Sequence, residues 1–192
     1  MNKPKFNLPI LLTWLRVAAI PLFVAVLYFP EDWLTERQAN VISMWIFIAA
    51  AITDWADGYL ARKWNQTTPF GAFLDPVADK LMVAAAMIVL TEKGFVDPFA
   101  TLIIIGREIT ISALREWMAQ IGQSKSVAVN MAGKLKTVAQ LIAIPFLLYD
   151  DVLFGLFHTR PVGHALIGIA AVITLLSMVV YLRAAIVAPP AP

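Results

Sequence analysis

Four aspartates lie at helical spacing between residues 54 and 79 of a chain in which 60% of the residues are hydrophobic. Asp54 and Asp57 are three residues apart, and Asp75 and Asp79 are four apart, so each pair shares one face of a helix. Both pairs border apolar segments, where a charge is costly to bury unless it is neutralised. The cations close to them in the sequence are Arg62, Lys63 and Lys80. A bound metal ion, or more than one, is therefore the simplest counter-charge.

The composition restricts which metal could bind. The chain has no cysteine, which excludes disulfides, iron–sulfur clusters and thiolate zinc sites. Its two histidines, His158 and His164, are too few for an imidazole cage, and we expect both at the surface or the membrane interface. Oxygen ligands remain, and they favour magnesium, manganese or calcium.

Two facing helices could present all four carboxylates to one cavity. Two divalent cations held there would resemble the clamp of phosphoryl-transfer sites. Gly58 and Ala61 continue the Asp57 face with almost no side chain, which leaves room for a ligand. Arg62 adds a fork of donors suited to phosphate.

Structural roles for the same residues stay open at this point. Asp75 precedes Pro76 and could be a helix N-cap, but a start at Thr68-Pro69 would place Asp75 inside the helix. Asp79 could form an interfacial ion pair with Lys80, and Gly58 could be a helix-packing site. These structural roles would need four independent reasons for acids at this spacing, whereas a single binding site explains all four acids together.

A second group of residues is basic and predicts a site for an anionic acceptor. Arg107 and Arg115 are eight residues apart, about two helical turns, so they lie near one face. Arg107 is flanked by apolar residues and needs a partner; the adjacent Glu108 is expected to point off that face, and Ser112 to lie nearer it. Lys134 and Lys136 lie at the start of the next helix, and a phosphomonoester would satisfy the group. The lysines could instead contact anionic lipid headgroups.

Thr13 and Arg16 are weaker candidates for this acceptor site. Arg16 lies two turns into the first helix, and its long side chain could extend to the membrane interface instead.

The elements that position these residues are membrane helices. Mean hydropathy is +0.75 and only 15% of the 192 residues are charged, which predicts an all-α, polytopic membrane protein. Six spans are expected at about residues 8–29, 40–62, 70–91, 98–118, 132–149 and 162–187. They form one catalytic domain, residues 1–187, followed by a disordered, proline-rich tail at 188–192.

Loop charge predicts the orientation. Most lysines and arginines outside the spans fall on the side that carries both termini and the loop after the second helix. The positive-inside rule places that side, with the acidic stretch, at the cytoplasmic face. The small basic excess therefore reflects topology and does not indicate nucleic-acid binding. The first apolar run has no cleavage pattern and is expected to be retained.

The spacing also carries a family resemblance. Asp54-x2-Asp57-Gly58-x2-Ala61-Arg62-x8-Gly71-x3-Asp75-x3-Asp79 matches the CDP-alcohol phosphotransferase signature at all eight fixed positions. Outside it, Asn7-Leu-Pro, the segment from Arg107 to Glu116, and Gly133-Lys134-Leu-Lys136-Thr137 resemble the bacterial phosphatidylglycerophosphate synthase branch.

The resemblance implies a six-helix, commonly homodimeric enzyme of the bacterial inner membrane, with its cavity open to the cytoplasm. It implies transfer of the phosphatidyl group from CDP-diacylglycerol to sn-glycerol 3-phosphate, with release of CMP. Two Mg²⁺ or Mn²⁺ ions would be held by Asp54, Asp57, Asp75 and Asp79. CDP would be bound by Asp57, Gly58, Ala61, Arg62, Gly71 and Asp75. Asp79 would also be the general base for a single displacement by the acceptor hydroxyl.

Two alternatives remain at this stage. The first is another acceptor, such as inositol phosphate, serine or a second lipid; the basic group disfavours serine because serine has no phosphate. The second is a divalent-cation transporter that uses the four acids as an ion path. The helices turn apolar away from the acids, at residues 41–52 and 81–90, which disfavours such a path.

Overall fold

The computed structural model describes residues 8–64, 68–122 and 131–187. The elements within these ranges are α1 (Leu8–Leu27), α2 (Glu36–Lys63), α3 (Pro69–Glu92), α4 (Pro98–Gln120), α5 (Met131–Tyr149), β1 (Val152–Leu153), β2 (Phe157–His158) and α6 (Thr159–Val187). All six expected helices are present. The antiparallel hairpin of β1 and β2 was not predicted. The N-cap at Asn7 and the tail at 188–192 lie outside the described residues.

Three of the described helices are long and apolar enough to cross a membrane, over Ile10–Leu27, Glu36–Ala61 and Thr159–Arg183. A shorter apolar stretch covers Leu135–Tyr149 in α5. Helices α3 and α4 fall outside this group, and each carries two of the charged candidate site residues. The protein is therefore a predominantly helical membrane protein, and the count of six spans stays a prediction.

The chain divides into two compact units, residues 1–89 and residues 90–192. In the first unit, α1 packs along α2. The rings of Phe23 and Phe47 lie 6.4 Å apart, and the Ser43 hydroxyl donates to the Phe23 carbonyl over 3.3 Å. Trp14 stacks on Phe70, with ring centroids 6.2 Å apart, so the start of α3 also lies against α1.

Helix α3 begins at the Thr68-Pro69 step. The backbone amide of Gly71 donates to Thr68 Oγ1 and that of Ala72 to the Thr68 carbonyl, both over 3.0 Å. Thr68 thus caps the helix and the proline occupies its first position, where no amide hydrogen is needed. The alternative in which Asp75 caps the helix is wrong, because Asp75 lies inside α3.

In the second unit, α6 packs against both α5 and α4. The α5–α6 contact is close at Gly163, where an added Cβ would lie 2.7 Å from Leu147 Cγ. Small residues permit such close approach between membrane helices. The α4–α6 contact buries Ile111, Met118 and Tyr181.

Candidate active site

The acidic residues of the first unit converge on an arginine from α1. Arg16 Nη1 lies 2.7 Å from Asp54 Oδ1 and 2.9 Å from Asp79 Oδ1, and Nη2 lies 2.5 Å from Asp57 Oδ2. The Arg16 side chain is 1% exposed, so the expectation that it extends to the membrane interface is wrong. A planar guanidinium presents several donors in a fixed fork and can therefore bond three carboxylates at once.

Thr13 completes the contact with the fourth acid. Its hydroxyl donates to Asp75 Oδ1 over 2.6 Å, and the residue is buried. Thr13 and Arg16 are three residues apart on α1, which places them on one face. Because Asp54 and Asp57 belong to α2 and Asp75 and Asp79 to α3, this face of α1 joins both acid pairs. Sequence reasoning assigned Thr13 and Arg16 weakly to the acceptor, whereas the structure places them among the acids.

The contacts leave a buried oxygen of the acidic residues without a hydrogen bond from the described residues. Arg16 bonds three of the four carboxylates and Thr13 bonds the fourth, yet Asp57 Oδ1 accepts no hydrogen bond from the part of the chain that the structure describes. The Nε atom of Arg16 is also buried and has no hydrogen-bond partner among residues 8–64, 68–122 and 131–187. A buried carboxylate oxygen without a hydrogen bond, in a group whose possible ligands are all oxygens, has the chemistry that a hard divalent cation prefers.

In the structure, however, three of the four carboxylates are bonded to Arg16 and are not arranged around a metal position. Across the described ranges, no three acidic or histidine side chains are placed so that they could hold a metal ion together. The two-metal prediction therefore stays a prediction, supported by donor chemistry and by the orphaned Asp57 oxygen.

The remaining residues assigned to CDP lie along the same two helices. Gly58 and Ala61 are partly buried in α2, and Gly71 is buried in the first turn of α3. A Cβ added at Gly71 would lie 3.1 Å from Thr68 Oγ1 and 3.6 Å from Ile10 Cγ1. The backbone of Gly71 is thus closely packed beside the helix cap. Arg62 belongs to α2, but its side chain lies outside the described residues.

The basic residues of the second unit form a network around a carboxylate. Arg107 Nη1 donates to Glu108 Oε1 over 3.1 Å, and Lys136 Nζ donates to the same oxygen. Arg107 Nη2 also donates to Ser177 Oγ over 3.3 Å. The prediction that Arg107 needs a partner is confirmed. The expectation that Glu108 points off the face of Arg107 is wrong, because its carboxylate bonds both Arg107 and Lys136.

Helix α6 adds an aromatic contact to this network. The Tyr181 ring centroid lies 5.6 Å from Cζ of Arg107 and 6.0 Å from Cζ of Arg115. Arg107 and Lys136 are buried, whereas Arg115 is exposed. The carboxylate of Glu108 thus contacts both Arg107 and Lys136, and the ring of Tyr181 contacts both Arg107 and Arg115.

Lys134 and the two histidines complete the basic residues considered from the sequence. The side chain of Lys134 lies outside the described residues. His158 and His164 are both exposed, so their expected place at the surface is confirmed.

Sequence reasoning missed three members of this basic network: Glu108 as a partner, Ser177 and Tyr181. A signal for the last two existed, because they are polar groups four residues apart in a helix that is otherwise almost wholly apolar.

Comparisons with known proteins agree with the signature. The sequence profile of the family described as CDP-alcohol phosphatidyltransferase matches residues 6–186. The chain is 52% identical over 185 residues to a CDP-diacylglycerol–glycerol-3-phosphate 3-phosphatidyltransferase of Salmonella paratyphi A, covering 94% of this chain and 96% of the relative. Proteins of the same name from Shigella flexneri and from Escherichia coli K12 are 51% identical over the same shares. The chain, with all eight signature residues in place, belongs to the CDP-alcohol phosphatidyltransferase family.

Proposed function

We propose that this chain transfers the phosphatidyl group of CDP-diacylglycerol to sn-glycerol 3-phosphate and releases CMP. The observation that carries the proposal is the 52% identity, over 94% of the chain, to an enzyme named for this reaction. The product, phosphatidylglycerophosphate, makes the protein an enzyme of phospholipid biosynthesis on the route to phosphatidylglycerol.

The donor half of the reaction is assigned to the acidic site of the first unit. The residues that would hold two Mg²⁺ or Mn²⁺ ions are Asp54, Asp57, Asp75 and Asp79. When bound, such ions neutralise the charge of the donor pyrophosphate and of the departing CMP. The chain's own contribution is to hold the carboxylates in position through Thr13 and Arg16 on α1. The residues assigned to CDP are Asp57, Gly58, Ala61, Arg62, Gly71 and Asp75.

Asp79 is the proposed general base. Its side chain is 44% exposed, whereas that of Asp57 is 2% exposed, so a substrate hydroxyl can reach Asp79 more readily. Asp79 accepts the proton of the 1-hydroxyl of glycerol 3-phosphate. The hydroxyl oxygen then bonds to the β-phosphorus as the bond from that phosphorus to CMP breaks, so no covalent enzyme intermediate forms.

The acceptor half is assigned to the basic network of the second unit. Arg107, Arg115, Lys134 and Lys136 are the residues proposed to bind the acceptor phosphate. The exposed Arg115 makes no ion pair among the described residues, and so offers its guanidinium to an incoming anion. A phosphate requirement favours glycerol 3-phosphate or inositol phosphate over serine, and the names of the relatives favour the first.

The membrane arrangement is proposed from loop charge and from the family resemblance. We propose six spans with both termini and the active site on the cytoplasmic face of a bacterial inner membrane, one catalytic domain over residues 1–187, and a homodimer. The excess of lysine and arginine on the proposed cytoplasmic side supports the orientation.

The test offers each acceptor to the purified protein. The protein in detergent or nanodiscs is supplied with CDP-diacylglycerol and Mg²⁺, then with glycerol 3-phosphate, inositol phosphate or serine, and CMP release is measured. We expect rapid release with glycerol 3-phosphate alone and phosphatidylglycerophosphate as the lipid product. Faster CMP release with another acceptor would show that the chain belongs to another branch of the family. No release with any of them would refute the transferase assignment.

A further inference from the structure

Helix α6 places two polar side chains on the face that meets α4. Ser177 and Tyr181 are four residues apart and both are buried. Neither belongs to the family signature or to the basic residues assigned to the acceptor. Each contacts an arginine of α4, so the polar face of α6 has a partner in the basic network.

The Ser177 hydroxyl has a fixed orientation. It donates to the Thr174 carbonyl over 2.9 Å, which uses its only proton. Its lone pairs are then left to accept from Arg107 Nη2, at 3.3 Å. With Nη1 bound to Glu108 and Nη2 to Ser177, the guanidinium of Arg107 is held at both ends.

The Tyr181 ring contacts two cationic side chains. Arg107 and Arg115 are separated by two turns of α4, about 12 Å along the helix axis. The guanidinium carbons lie 5.6 Å and 6.0 Å from the same ring centroid. Both side chains therefore fold toward Tyr181, although two like charges repel. The negative face of an aromatic ring offsets that repulsion and attracts each guanidinium.

We propose that Tyr181, assisted by Ser177, is a positioning residue for the acceptor: it holds Arg107 and Arg115 together as one binding site for the phosphate of a small phosphomonoester. This inference rests on the proposed function. Without the ring, Arg115 loses its cation–π contact, and its side chain is free to occupy several rotamers. The phosphate would then have to order the arginine on binding, which weakens affinity for the acceptor and leaves the donor unaffected.

The experiment compares Tyr181→Leu, Tyr181→Phe and Ser177→Ala with a packing control, Met178→Ala. Met178 packs against the same apolar cluster as Tyr181. Because a cation–π contact contributes a factor of a few to about thirty, we expect Tyr181→Leu to raise KM for glycerol 3-phosphate about tenfold. KM for CDP-diacylglycerol should stay at the wild-type value. Tyr181→Phe keeps the ring and should retain the wild-type KM for glycerol 3-phosphate. Ser177→Ala should raise this KM by a smaller factor than Tyr181→Leu does.

An equal rise of both KM values in Tyr181→Leu, or the same acceptor KM in Tyr181→Leu as in Met178→Ala, would overturn the proposal. Calorimetric binding of glycerol 3-phosphate to the full chain, with glycerol as the phosphate-free control, gives a readout independent of turnover. If glycerol 3-phosphate binds but no CMP is released, the proposed function is refuted, and the effect of Tyr181→Leu on binding still decides the role of Tyr181. Undiminished binding to Tyr181→Leu would remove the role of Tyr181 alone.

Discussion

Arg16 Nη2 and Asp57 Oδ2 lie 2.5 Å apart, and both side chains are almost wholly buried, at 1% and 2% exposure. They join α1 to α2 by the most buried ion pair that the structure describes. Removing one partner of a buried pair leaves the other charge without compensation.

Arg16→Gln should therefore destabilise the protein by about 3 kcal/mol. Arg16→Lys retains the charge but cannot bond three carboxylates at once, so it should recover only part of the loss. Thermal unfolding in detergent, followed by circular dichroism, measures both variants against wild type. A wild-type melting temperature for Arg16→Gln would show that the ion pair contributes no stability.

Thr13→Val tests the contact with the fourth acid. The substitution keeps the side-chain volume and removes the hydroxyl that donates to Asp75. Asp75 is assigned to the donor half, so we expect KM for CDP-diacylglycerol to rise about tenfold or more, since a hydrogen bond to a charged group contributes about 1.5–3 kcal/mol. KM for glycerol 3-phosphate should not change.

Thr53→Val is the matched control for Thr13→Val. Among the described residues, the Thr53 hydroxyl donates to carbonyls of its own helix, at Ala49 and Ala50. If both threonine variants raise KM equally, the Thr13 contact is not specific to the donor site.

Asp79→Asn removes the proposed base and keeps the shape of the side chain. General-base catalysis contributes about 10²–10⁴ in rate, so CMP release should fall at least a hundredfold while the melting temperature stays close to wild type. Asp97→Asn is the control, because Asp97 caps α4 and asparagine caps a helix equally well. Retained turnover in Asp79→Asn would exclude Asp79 as the base.

Removal of divalent metal should abolish turnover. The acidic site carries four carboxylates, of which Arg16 bonds three, and carboxylates repel the pyrophosphate of the donor unless a metal ion lies between them. We expect EDTA to stop CMP release, and Mg²⁺ or Mn²⁺, but not Na⁺, to restore it. Full activity after exhaustive chelation would contradict the metal assignment for all four aspartates.

Gly163→Ala tests the contact between α5 and α6. The added Cβ would lie 2.7 Å from Leu147 Cγ, so the helices must separate or Leu147 must change rotamer. Overpacking of this kind costs about 1–3 kcal/mol. Gly168→Ala is the control, because nothing lies within 4 Å of a Cβ at that position. The double variant Gly163→Ala/Leu147→Ala should show coupling; strict additivity of the two losses would contradict the close contact.

The six helices were predictable because apolar length marks some of them, such as α1, α2 and α6, and local capping chemistry marks the starts of α3 and α4. The Thr68-Pro69 start of α3 and the Asp97-Pro98 start of α4 follow from local chemistry alone. The hairpin was not predictable, since strands of two residues are too short to show an alternating pattern. Its turn depends on backbone conformations at Phe154 and Gly155, both with positive φ.

The composition of the site was predictable in part. The spacing of the aspartates indicates one shared face, but nothing local indicates that Arg16, 38 residues before Asp54, would bond to them. That contact depends on how α1 packs. Glu108 was misjudged for a different reason. Neighbouring residues on a helix diverge by about 100°, yet the long side chains of Arg107 and Glu108 bend back to meet.

Every contact described for the acidic site joins residues that precede residue 90. A ribosome makes these residues first, so the acidic site can be complete while α4, α5 and α6 are still being synthesised. Charged side chains on three successive helices can then neutralise one another as each helix enters the membrane. Insertion of the acidic ends of α2 and α3 would thus depend on the helix made before them.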